Sequence, residues 1–127
     1  MPDNILTAED YTEIRAAVAD TFTDTIAVQE RVRTNTSQGN TYTYPTRSTV
    51  QGVVTDLSGH ELVRAQQIAA AAGVEAKLPA LTQVEQSDRL LATHHQTGAQ
   101  RKLEVVHVFK PSREFVRRVL CKEDTRP

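Results

Sequence analysis

Tryptophan is absent from this 127-residue chain, and only three tyrosines and three phenylalanines are present. So few aromatic side chains limit the core and leave little surface on which nucleic-acid bases could stack. There is a single cysteine, Cys121, which excludes an internal disulfide and makes a reducing compartment the default. Charge of one sign is also missing: 15 basic residues face 16 acidic ones, a formal net charge of -1. Phosphate contacts supply most of the affinity of nucleic-acid readers, so free DNA or RNA is not the expected main partner. No apolar run approaches the roughly 20 residues of a membrane-spanning helix, so no membrane partner is expected. The opening "MPDNILTAEDY" lacks the basic and apolar regions of a secretory signal, so synthesis in the cytoplasm is expected.

Catalytic motifs are missing too. No G-x-S-x-G elbow, C-x-x-C pair, H-E-x-x-H helix or glycine-rich phosphate loop occurs. Asp56, Glu61, Asp88 and Glu104 are dispersed, with no reason to pair as acid and base. Cys121 lies in an alternating apolar stretch, where a buried thiol is the ordinary reading. His94 and His95 are adjacent; on a strand they would point to opposite faces and could not share one ion. No enzyme, metal or cofactor is therefore expected, and the two histidines read as exposed hairpin-tip residues.

What is present is a series of short periodic segments in one domain spanning 1–127. Thr7, with Asp10 three residues on, makes a capping-box start to a helix carrying Tyr11, Ile14 and Val18 on one stripe. From Ile26 the period changes to two, with Ile26, Val28 and Val32 on one face of a strand. "TNTSQGNTYTYPT", residues 34–46, carries no charge and reads as a long flexible loop reaching to residue 48. A strand over "STVQGVVTDL" follows, with Gly52 as a close-approach position. Ser58 and Glu61 form a second capping box, opening a helix that should run to Ala72 with Gly73 as its C-terminal cap. Strands over "VEAKLPAL", "DRLLAT", "KLEVVHVF" and "REFVRRVLCKE" fill the last third. In the third of these, Leu103, Val105, His107 and Phe109 should share a face. Five to six strands with an N-terminal helix and one helix inserted between strands point to a mainly β fold, a small β-barrel.

The order of features from Val50 onward resembles the head-completion, or stopper, proteins that act as head-to-tail connectors in the neck of long-tailed bacteriophages. The likeness rests on a strand "VQGVVTDLS", the helix "ELVRAQQIAAAAG", the "DRLL" start of a strand, the return "LEVVHV", and the final "REFVRRVLCKE". It covers about residues 47 to 123. Leu103 departs from the pattern, since an aromatic often precedes Glu-Val there, and the tip "HHQTGAQR" is longer than a tight turn. The resemblance implies a structural virion protein that forms a six- or twelvefold ring of copies of itself. Such a ring would sit under the portal-bound adaptor, close the DNA channel and present a surface to a tail terminator or tail tube protein. Packaged double-stranded DNA would pass without sequence readout. The resemblance also implies that the 34–48 loop gates the channel, which singles out Gln38, Gly39, Asn40, Tyr42 and Tyr44. Asp88, Arg89, His94, His95, Arg113, Arg117 and Arg118 are the interface candidates, arginine being enriched in such surfaces. A neighbouring neck component (adaptor or tail terminator) and a barrel binding single-stranded nucleic acid are the alternatives.

Overall fold

The computed structural model describes residues 7–111 and 114–126. Its elements are α1 (Ala8–Ala19), β1 (Asp24–Gln29), β2 (Val32–Thr36), β3 (Gly39–Thr43), β4 (Thr46–Asp56), α2 (Gly59–Ile68), β5 (Val74–Pro79), β6 (Arg89–Thr93), β7 (Gln100–Val108) and β8 (Val116–Glu123). Six strands close into an antiparallel barrel in the order β1-β4-β5-β8-β7-β6, with β6 pairing back onto β1. The expected mainly β fold with a terminal and an inserted helix is the one found.

Alternation builds the barrel. Ile26 and Val28 on β1, Ala76 and Leu78 on β5, Leu90 on β6, Leu103 and Val105 on β7, and Val119 and Cys121 on β8 are all fully buried. They meet in one interior cluster, where each large aliphatic side chain contributes about 1.5–3 kcal/mol relative to exposure. Gly52 is the close-approach position anticipated. A Cβ there would lie 2.6 Å from the Lys77 carbonyl oxygen and 2.7 Å from Ile26 Cδ1, so only glycine lets β4 pass. Between β5 and β6 the chain lays Val84, 1% exposed, against the interior cluster.

The last turn of β7 differs from a simple alternation. The register with β8 shifts between Val105 and His107, so Val106 is an extra, bulged residue. Beyond it Val108 returns to the interior cluster, while Val106 and Phe109 join a second cluster outside the barrel. His107 therefore does not share the inner face with Leu103 and Val105; its ring meets Phe109 edge-on at 4.8 Å.

The second cluster is where α2 docks, with Ala65, Ala72 and Leu120 at its centre. The helix stops at Ile68 rather than Ala72, because Ala69 is extended (φ -141°, ψ 111°). Gly73 then donates its N–H to the Cys121 carbonyl at 3.0 Å, which lengthens the β5–β8 ladder and is incompatible with a helical cap there. Ser58 makes no side-chain cap bond; Gly59 turns left-handed at φ +57°, and only the Ser58 carbonyl closes the first turn. In α1 the expected capping box of Thr7 and Asp10 forms in both directions. That helix buries no residue and is held through Tyr11 stacked on Phe115 at 5.3 Å and Arg15 Nε donating to the Glu114 carbonyl.

The largest departure lies at residues 32–43. A structureless loop was expected; β2 and β3 instead pair from Val32–Thr43 to Thr36–Gly39 as a separate two-stranded sheet. Val32 belongs to this arm and not to β1, which ends at Gln29. The turn is closed by Gly39 at φ +119° and by Thr36 Oγ1, which donates to the Gly39 carbonyl at 2.7 Å. Turn chemistry and ladder bonds therefore order a stretch that has no apolar period.

Candidate functional site

Three places gather the side chains that sequence reasoning singled out. The first is the joint where the arm leaves the barrel. Arg89, at the start of β6, is 8% exposed and its Nε donates to Asp124 Oδ2 at 2.8 Å. Arg126 reaches the same carboxylate with Nε at 2.9 Å and Nη2 at 3.0 Å. Burial alone would raise the Asp124 carboxyl, but the hydrogen bonds from Arg126 and Arg89 outweigh it and hold the group well below the usual range. Both guanidinium groups stand over the Tyr44 ring, Arg89 Cζ at 3.6 Å and Arg126 Cζ at 5.0 Å from its centre. Alongside, Arg47 Nη1 donates to Asp88 Oδ2 at 2.7 Å.

Of the interface candidates, Asp88 and Arg89 are buried and paired within the chain. Of the gating candidates, Tyr44 lies under the two guanidinium groups at the base of the arm. Of the other gating candidates, Gln38, Gly39 and Asn40 form the exposed tip of the arm. Tyr42 is 41% exposed and carries Arg31 over its ring at 4.0 Å.

The second place lies at the other end of β1. Asp24 pairs there with Gly52, and Thr25 with Thr93, which brings the 94–99 tip beside the Asp24 carboxylate. His95 donates its backbone N–H to Asp24 Oδ1 at 3.1 Å, and its Nδ1 lies 2.8 Å from the same oxygen. His94 and His95 stack with ring centres 4.7 Å apart. The two rings are thus on one side. They belong to a turn beyond the end of β6, where the strand rule that separates neighbours does not operate. Burial works to raise Asp24; the bonds from the ring and backbone of His95, with the nearby imidazoles, bring it below its ordinary value. Both histidines are exposed, as expected for a tip.

The third place is the C-terminal basic region. Arg117 binds Glu114 at 3.0 Å, and Arg118 binds Glu75 at 2.8 Å while standing over Phe109. Arg113 lies outside the described residues. Arg118, Phe109 and Leu120 form one wall of a groove of about 620 Å³ under α2, with Leu57 and Ile68 on its other sides. Cys121 is fully buried; burial pushes its thiol up to about 12 against a small opposing effect of Arg101, so it is a protonated core residue at neutral pH.

Sequence reasoning missed Asp24, Arg47, Asp124 and Arg126. Each acts on a partner far along the chain, and no local spacing announces it. Only the burial of Asp24 at the head of an alternating strand was open to inference.

A closed six-stranded antiparallel barrel with a protruding two-stranded arm defines the class of fold. Among solved structures, the solution structure of protein SF1141 from Shigella flexneri 2a is similar, with a TM-score of 0.66 at 18% identity, over 84% of this chain and 96% of that one. At that identity the likeness establishes the fold alone. No family model matches the chain, and no curated protein does.

Proposed function

We propose that the protein is a structural ring subunit of a phage head-to-tail neck, a stopper that closes the DNA channel beneath the portal-bound adaptor and docks the tail. The observation that carries this reading is the arm. Two five-residue strands extend about 17 Å, no residue of β2 or β3 is buried, and Thr34 to Thr46 bear no charge. Two-stranded hairpins are marginal alone in water, so an arm without a core of its own is suited to meeting another surface. Arg33 is the arm's one cation and sits at its base, paired with Tyr42. The outer part from Thr34 to the tip is neutral, which suits a channel through which a polyanion passes, since lysine or arginine at the tip would hold phosphate. Arg47, the nearest cation in sequence after the arm, is turned onto Asp88. Gln38, Gly39 and Asn40 would be the contact residues at the tip, with Tyr42 behind them. Copies would meet around the barrel wall, where His94, His95 and Arg118 are exposed. This role involves no catalytic step and no resident cofactor.

Electron microscopy of portal–adaptor connectors incubated with the purified protein tests the reading. A ring of added density under the adaptor is expected, and bare connectors would refute it. Density at a different level would reassign the protein to a neighbouring neck component. Tight retention of labelled single-stranded DNA with a steep salt dependence would replace the reading with a nucleic-acid-binding barrel.

A further inference from the structure

Asp24, His94 and His95 each bring one ligand-type atom to within 4.8 Å of the others. Two segments converge to do so: the head of β1 and the tip that follows β6. From this geometry we propose that the cluster binds a single divalent transition-metal ion of the zinc class, through one carboxylate and two imidazoles. The site is independent of the neck reading and would be the same in any assembly the barrel joins.

The donor set is the first argument. Two imidazole nitrogens and one carboxylate oxygen suit zinc and its first-row neighbours better than calcium or magnesium, which take oxygen ligands. Charge is the second. The Asp24 side chain is 11% exposed, and the hydrogen bonds it accepts come from the backbone and ring of His95. A buried carboxylate with two imidazole rings around it is a place where a cation is favoured.

Organisation of the tip is the third. His94 N–H donates to the Ala99 carbonyl and Gly98 N–H to the His94 carbonyl, both at 2.9 Å. Gly98 turns left-handed at φ +71°, and His95 N–H is fixed on Asp24. The backbone that carries both rings is therefore set before any ion arrives. Tetrahedral ligands on zinc stand about 3.3 Å apart, so the rings must close in by a small rotation, which their exposure permits. His94 Nδ1 gives up only the long bonds it accepts from Gln96 N–H and Thr97 N–H, at 3.2 and 3.4 Å. With three protein ligands, the remaining position faces solvent.

Calorimetric titration of the untagged protein with zinc chloride, together with NMR of the imidazole rings, provides the test. One ion per chain is expected, with the His94 and His95 ring signals shifting while those of His60 and His107 stay in place. Zinc should raise the melting temperature of the wild type. His94→Gln and His95→Gln, at exposed positions that keep the fold, should each weaken binding by at least about tenfold and abolish the zinc-dependent rise. Asp24→Asn should weaken it similarly, and the histidine variants decide the matter if that buried change disturbs folding. The proposal is overturned by no binding at about 100 μM zinc, by binding that survives both histidine substitutions, or by shifts confined to His60 or His107.

Discussion

β5 and β3 are strands of nearly equal length, six and five residues, yet they are held by different forces. In β5 every second residue is buried, with Ala76 and Leu78 sealed from solvent. In β3 every residue is exposed. The barrel strand is placed by the removal of apolar surface from water, a force that also fixes register, since a slip of one residue would expose the whole inner face. The arm strand is placed by ladder bonds, the Thr36–Gly39 turn and the clamp of Arg89 and Arg126 on Tyr44, with no such penalty behind them. One chain thus contains a region placed by a buried face and a region placed by backbone bonds and a clamp at its base.

Three substitutions probe that contrast, from the strongest effect to the weakest. Leu90→Ala opens the barrel interior and is expected to cost about 3–5 kcal/mol in urea denaturation, with little collapse because the wall is closed on all sides. Asp124→Asn strikes the joint between barrel and arm, and should cost about 2–3 kcal/mol at neutral pH. Its effect also depends on pH. The Asp124 carboxyl titrates lower in the folded chain than the ordinary value of about 3.9, so the stability it adds is present above about pH 4 and is lost as pH falls further. Denaturation curves at pH 7 and pH 3 should therefore differ less for the variant than for the wild type. Tyr42→Ala, near the base of the arm, should change stability by less than about 0.5 kcal/mol. A cost for Tyr42→Ala approaching that of Leu90→Ala would erase the distinction between the two regions.

The same contrast explains what could be read from the sequence. Ile26 and Val28, Ala76 and Leu78, and Val119 and Cys121 announce barrel strands because burial writes a period of two into the residues themselves. Thr7 and Asp10 announce the start of α1 because a cap is a local bond. From Thr34 on, the arm was legible only as uncharged polar sequence, since ladder bonds are made by backbone that every residue shares. The bulge at Val106 reversed the inner face of β7 without any glycine to mark it. α2 ended early because the Gly73 N–H was wanted by Cys121, a partner 48 positions away (121 less 73). Asp24 and the adjacent histidines met for the same reason: β1 and β6 are neighbours only once the barrel is closed.

That closure has a kinetic side. Thr25 pairs with Thr93, and β8 is inserted between β5 and β7, so three of the six pairings that define the wall, β1–β4, β1–β6 and β5–β8, join strands that are not consecutive. Loop-closure entropy must be met before those three pairings stabilise anything, which places the chain among slow, topology-limited folders in the range of milliseconds to seconds. Until β8 docks, β5 and β7 present open edges, and partly folded chains at high concentration are drawn to pair with one another. β8, the barrel strand furthest along the chain, is the one that removes this hazard.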